Sequence, residues 1–317
     1  MTNPAAEARP DATPTDPRKA VPATLPHAIL QARAQFPRGL TQPEGSFRFS
    51  VDALLLAAFA GEGLTGREGK TRDVGEMAPD ARAMPGHGKP LAFADLGTGC
   101  GVVGLALLLA HSGLTSAGLT SMSLTGTGIE IDAQLADAAR DNAARLGLAE
   151  RFRVLRADIA APDTTAFDAL PPAGSMDLVV ANPPYRRHGS GRPSPSSQRT
   201  RALFEAPGTL SAFAGTAARL LRARGRSCWV YGPDRLPDLL QELRAVGLEP
   251  KRMCCVHARA DGPATLVLME ARRAGRPGLA VEPPLVLHRG EGAATALTDE
   301  ALAFCPLLAC NAGGHGR

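Results

Sequence analysis

LAFADLGTGCGVVGLALLLAH, residues 91–111, decides how the rest of the chain is read. A short apolar run with Asp95 near its end gives way to Gly97-Thr98-Gly99-Cys100-Gly101, and then to ten residues rich in Leu, Val and Ala. Strand, glycine-rich turn and buried helix in that order are the opening unit of a parallel α/β sheet. Glycine belongs at such a turn because backbone without Cβ can approach a ligand closely. Taken alone, the turn suits a dinucleotide and S-adenosylmethionine equally well.

Downstream the alternation continues. GIEI (128–131) reads as a second strand and DAQLADAARDNAARLGL (132–148) as an Ala-rich helix closing at Gly147. FRVLRAD (152–158) is a third strand, and MDLVVAN (176–182) a fourth whose unbroken apolar run implies burial on both faces. An amphipathic helix over 210–224 precedes the strand SCWVYG (227–232), and RLPDLLQELRAVGL (235–248) is a further helix. KRMCCVHA and ATLVLMEAR, joined through ADGP, read as an antiparallel hairpin. The fold class is therefore α/β, a doubly wound and mostly parallel seven-stranded sheet with an antiparallel C-terminal hairpin.

Working outward, FRFSVDALLLAAFA (47–60) ends in a buried helix N-capped near Ser50 or Asp52. Residues 1–25, rich in Pro and Ala, are expected to be a disordered tail, and 26–290 a single domain. Gly, Pro and charge dominate 61–90, which reads as an insertion; 112–127 reads as a lengthened surface loop, and 291–317 as a C-terminal tail.

Composition narrows the class. A chain of 317 residues with 44% hydrophobic content buries a substantial core. No apolar run reaches the ~20 residues of a membrane span, and the N-terminus lacks the apolar stretch of a signal peptide. A cytoplasmic protein without membrane attachment is expected, a monomer or weak homodimer. Six cysteines form no Cys-x-x-Cys pair and stand at no zinc-finger spacing, so they read as reduced thiols and no metal is expected. The net charge of +4 is mild. Its placement says more: Arg186, Arg187, His188, Arg192, Arg199 and Arg201 fall in one stretch without an acid. Arg186, Arg187 and Arg192, directly behind the tetrapeptide described next, are candidates for phosphate contact.

Two acids resolve the ambiguity of the glycine turn in favour of S-adenosylmethionine. Glu130 ends the second strand, where a carboxylate accepts from both ribose hydroxyls, and Asp158 ends the third, where it can hold an adenine amino group. The candidate cofactor residues are thus Asp95, Gly97, Thr98, Gly99, Gly101, Glu130 and Asp158, with Asn182. The fourth strand runs into Asn182-Pro183-Pro184-Tyr185. An exocyclic amine conjugated to a ring is a poor nucleophile because its lone pair is delocalised. The Asn182 side-chain oxygen and the Pro183 carbonyl accept its two N–H bonds and favour a tetrahedral nitrogen; consecutive prolines hold that carbonyl in place. Tyr185 offers a face for a base to stack on. Positioning and electrostatics carry such a reaction without metal or covalent nucleophile. The tetrapeptide suits an adenine and a glutamine amide alike.

From about Gln42 to about residue 290 the chain resembles the bacterial tRNA adenine-N6 methyltransferases that modify position 37 of a valine tRNA, class I enzymes with an Asn-Pro-Pro-Tyr motif. FRFSVDALLLAAFA, DLGTGCGVVGLALLL, GIEIDAQLADAARDNAARLGL, NPPYRRHGSGRPSP, YGPDRLPDLL, LEPKRMCCVHARADGPATLVLMEA and GRPGLAVEPPLVLH carry the resemblance. It implies a cytoplasmic enzyme that uses S-adenosylmethionine on a tRNA substrate, with Asn182 through Tyr185 holding the target adenine. Alternatives are a release-factor-type glutamine N5-methyltransferase, for which the stretch before Phe47 is too short and Pro-rich to supply the N-terminal helices, and a DNA adenine methyltransferase, for which no target-recognition domain is evident. A non-catalytic binding module would have lost the tetrapeptide or the glycine turn, and both are intact.

Overall fold

The computed structural model describes residues 25–46, 48–64, 90–111, 124–160, 169–184 and 208–311. The expected tail before residue 25 and most of the 61–90 and 112–127 segments lie outside them.

Five parallel strands form the centre of the sheet: β1 (Leu91–Leu96), β2 (Leu124–Glu130), β3 (Phe152–Arg156), β4 (Met176–Ala181) and β5 (Leu221–Tyr231). The hairpin β6 (Leu248–His257) and β7 (Ala264–Arg273) completes the order β3-β2-β1-β4-β5-β7-β6. β7 is antiparallel to both neighbours, so β6 ends at the same edge as the five central strands. Two-residue strands, β8 (Ala280–Val281) and β9 (Leu285–Val286), extend β6 and make nine strands where seven are expected.

Helices cover both faces. α2 (Val51–Glu62), α3 (Val102–Ala110) and α4 (Ala133–Arg145) share one buried cluster, with α1 (His27–Gln35) against α4. α5 (Thr209–Leu220) and α6 (Leu236–Ala245) cover the other face. Val102 through Leu108 of α3 are all buried, as an all-apolar helix must be. α4 turns Ala136, Ala138, Ala139 and Ala143 inward, and their small side chains let it close on the glycine turn.

α2 runs against the strand direction because its last carbonyls are held low on the sheet. Arg252 donates to Phe59 O (2.9 Å) and Arg226 to Ala60 O (3.0 Å), with Glu270 paired to Arg226 at 3.1 Å. The Arg252 guanidinium also lies 3.7 Å from the Phe59 ring centroid. Ser50, at the other end of this ~18 Å helix, is thereby brought to the edge where the parallel strands end.

The expected boundaries shift in four places. β2 begins at Leu124, not Gly128, and pairs with β1 along its whole length from Leu91↔Leu124 to Leu96↔Ile129. Its Thr and Gly residues look loop-like, yet a Cβ at Gly126 would lie 2.2 Å from the Phe93 ring, so packing demands the glycine inside a strand. β5 begins at Leu221, directly after α5, although 221–224 read as helix. α1 has no counterpart in the sequence reading; its Arg33 donates to Leu146 O at 2.9 Å. The residues expected to be a C-terminal tail fold instead. β10 (His288–Arg289) pairs with β11 (Ala296–Leu297), and α7 (Asp299–Phe304) follows. Ala301, Cys305 and Leu308 recur at helical spacing, are at most 1% exposed and join the cluster around α2; the Cys305 thiol donates to Leu54 O at 3.5 Å.

Candidate active site at the carboxyl edge of the sheet

Strand register gathers the candidate residues. Leu96 is paired with both Ile129 and Ala181, so Gly97, Glu130 and Asn182 leave three adjacent strands at one level. Neighbouring strands are ~4.8 Å apart, which puts the three within one ligand's reach.

The glycine turn is built by backbone. Gly97 N and Thr98 N donate to Ile129 O (2.9 and 3.1 Å), and Gly101 N donates to Thr98 O at 2.9 Å. Gly97, Gly99 and Gly101 have φ of +66°, +57° and +91°, a region that L side chains rarely enter. A Cβ at Gly99 would meet nothing within 4 Å. Open space therefore fronts the turn where a ligand has to approach.

Glu130 is 7% exposed and faces that turn: one carboxylate oxygen accepts from Gly99 N (2.8 Å), the other from Asp132 N (3.0 Å). Burial pushes its pKa up, against the pull of those two N–H donors. Each oxygen keeps a lone pair with which to accept from a ligand hydroxyl. Next to it Ile131 is 54% exposed, an apolar side chain held in the open beside the cofactor candidates. The sequence reading misses Ile131, although an apolar residue following the strand-end acid is a visible signal.

Asp95 takes a different place from the one expected. At 1% exposure it lies behind the turn, where Thr98 Oγ1 (2.7 Å) and Gly104 N (3.0 Å) both donate to one of its oxygens. Burial raises its pKa to about 7. Its work is to tie the turn to the first turn of α3. Thr98, 3% exposed, is likewise engaged inward. Asp158 stands two residues past β3, half-exposed, and accepts from Ala160 N at 2.8 Å.

Asn182 is half-buried, Pro183 buried and Pro184 half-buried. The side-chain amide of Asn182 has no hydrogen-bond partner among the described residues, which leaves its oxygen free to accept. Tyr185, Arg186, Arg187 and Arg192 lie outside the described residues. Among those described, no cluster of three or more His, Cys, Asp or Glu side chains is placed to hold a metal, and no helix is long and apolar enough to cross a membrane. A second residue the sequence reading misses is Asn142, 1% exposed on the alanine face of α4, whose amide donates to Cys100 O in the glycine turn at 3.0 Å.

No protein-family model matches the chain. A protein of Porphyromonas gingivalis called tRNA1(Val) (adenine(37)-N6)-methyltransferase is 31% identical over 230 residues, 68% of this chain and 76% of the relative. A release factor glutamine methyltransferase of Agrobacterium fabrum is 36% identical, but over 93 residues, 29% of this chain. Among solved structures, one described as a predicted O-methyltransferase from Agrobacterium tumefaciens aligns with a TM-score of 0.55 over 81% of this chain and 96% of its own, at 20% identity. That likeness concerns the fold: an α/β sheet of the methyltransferase type, in agreement with the strand order above.

Proposed function

Because the chain belongs to the tRNA1(Val) (adenine(37)-N6)-methyltransferase family, we propose that it transfers a methyl group from S-adenosylmethionine to N6 of an adenine in a tRNA, adenine 37 of a valine tRNA being the expected target. The observation that carries the reading is the position of Asn182, level with Gly97 and Glu130 at one edge of the sheet, its amide without a hydrogen-bond partner among the described residues.

S-adenosylmethionine supplies an electrophilic methyl on a sulfonium. The chain's residues do the rest by placement. Glu130 takes the ribose hydroxyls, Ile131 covers an apolar face of the cofactor's adenine, and Asp158 accepts from its amino group. Gly97, Gly99 and Gly101 keep the turn free of side chains, with Asp95 and Thr98 holding its shape from behind. Asn182 Oδ1 and the Pro183 carbonyl accept the two N–H bonds of the target amine and turn its lone pair toward the methyl group. Pro184 fixes the backbone behind them, Tyr185 stacks on the target base, and Arg186, Arg187 and Arg192 meet the phosphates around it. The base has to leave its stack to reach Asn182. A tRNA substrate puts the enzyme in the cytoplasm, and the single site suits a monomer or weak homodimer.

Asn182→Ala tests the reading. It should cut methyl transfer by at least ~100-fold, a size set by the loss of preorganised hydrogen bonding to the reacting group, and leave cofactor affinity by calorimetry within about twofold. Activity equal to that of the wild type would overturn the assigned mechanism.

A further inference from the structure

The segment between α1 and α2 is fastened to the cofactor turn by one side chain. Asn142 Oδ1 accepts from Thr41 N (2.7 Å), while its Nδ2 donates to Thr41 O (3.0 Å) and Cys100 O (3.0 Å). All three bonds go to backbone, so this amide is a fastener and no ligand group. Arg145 adds a bond to Thr41 Oγ1 at 3.0 Å. Beyond Thr41 the chain is closed on itself: Phe49 N donates to Gln42 Oε1 (3.1 Å), and Ser46 donates to Pro43 O through both its N–H (3.1 Å) and its hydroxyl (2.6 Å). Ser50 then stands at the N-cap of α2, at the carboxyl edge of the sheet. The stretch is thus a built strap lying from α4 past the glycine turn to the start of α2.

Two arginines stand at either end of this strap. Arg38 and Arg48 are exposed and have no hydrogen bond or ion pair among the described residues. Their neighbours are engaged, Arg33 with Leu146 O and Arg145 with Thr41. Glu44, exposed at the middle of the strap, is its acidic residue. Unpaired cations on hydrogen-bonded backbone, next to a site that receives a nucleotide, fit a polyanion. We propose that Arg38 and Arg48 grip phosphates of the substrate RNA, making the strap a second RNA-binding surface apart from the Arg-rich stretch that follows Tyr185. This rests on the reading of the chain as an RNA methyltransferase and adds to it the surface that holds the RNA beside the cofactor turn.

The test uses the full chain and tRNA, with binding followed by fluorescence anisotropy across a series of KCl concentrations. Arg38→Ala/Arg48→Ala should weaken tRNA binding at low salt by at least ~10-fold and lower the slope of log affinity against log salt by roughly 0.7–0.9 for each phosphate that is no longer neutralised. Cofactor affinity and melting temperature should stay as in the wild type. Arg38→Lys/Arg48→Lys should keep most of the slope, and Glu44→Gln should tighten binding slightly. Arg276→Ala, exposed beyond the end of antiparallel β7 and so at the opposite edge, should change nothing. An unchanged slope in a double variant that still methylates tRNA would overturn the strap alone. Loss of cofactor affinity and melting temperature in step with RNA affinity would make both arginines structural and overturn it too. Methyl transfer to release factor and to no RNA would instead overturn the reading beneath it.

Discussion

Glu130 is where burial and chemistry pull in opposite directions. Its carboxylate is desolvated, which raises its pKa, yet two backbone N–H groups already point at it and two ribose hydroxyls would make four donors. Donors favour the ionised form. If Glu130 takes the ribose as proposed, cofactor binding should lower its pKa, and affinity should rise with pH until it passes the pKa of the free protein, then level off. Calorimetry in buffers of different ionisation enthalpy reads this as proton release. Glu130→Gln should weaken binding at least ~10-fold, since a charge-assisted bond is worth about 1.5–3 kcal/mol, and reduce the pH dependence; an affinity equal to that of the wild type would remove Glu130 from the site. Asp95 is raised by burial as well, and there the consequence falls on stability. Its folded pKa of about 7 lies above the ordinary carboxylate value of 3.8, so near neutrality the folded chain retains a proton that the unfolded chain has shed. The stabilisation is complete below the unfolded value and is lost as pH rises through 7. Melting temperatures of the wild type should accordingly fall relative to Asp95→Asn between pH 5 and 8, and parallel curves would show that Asp95 is ionised throughout.

Elements are legible where pattern and packing agree. The run 178–181 is apolar without a break and lies in a central strand; in 91–111 the strand and turn fold as read, and the helix stops one residue short, at Ala110. Legibility fails where a residue type serves packing and not its own propensity. Gly126 in β2 looks like part of a loop until the Phe93 ring is seen to need its space. Asp95 looks like a ligand group from its place at a strand end, but sequence position does not say which way a carboxylate faces. Asn142 is hidden for a related reason: an Asn inside an Ala-rich helix has no meaning until Thr41 and Cys100 are beside it. Asn142→Leu keeps the branched shape and removes three hydrogen bonds to backbone, of which the one to Cys100 O is buried and costs roughly 1–3 kcal/mol when left unsatisfied. We expect a lower melting temperature and a higher cofactor Kd, with kcat at saturating cofactor less affected than KM for cofactor. A change in stability without any change in cofactor KM would confine Asn142 to the scaffold.

At the scale of the whole molecule, the candidate site lies along the carboxyl edge and the rest of the chain holds that edge in register. α2 is the clearest case: Arg226 and Arg252 fix its lower end, and the C-terminal residues Ala301, Cys305 and Leu308 cover its outer side. Leu308→Ala should cost about 2–5 kcal/mol of stability, measurable by denaturant unfolding; a cost near zero would show that this segment is not part of the core. The central claim concerns the whole assembly of turn, acid and tetrapeptide. It is tested most directly by incubating the purified protein with labelled S-adenosylmethionine and separate pools of tRNA, rRNA, DNA and release factor, then analysing the labelled pool by nucleoside or peptide mass spectrometry. The account expects N6-methyladenosine in tRNA, and none with Asn182→Ala. Label in a release-factor glutamine, or tRNA left unmethylated, would contradict it.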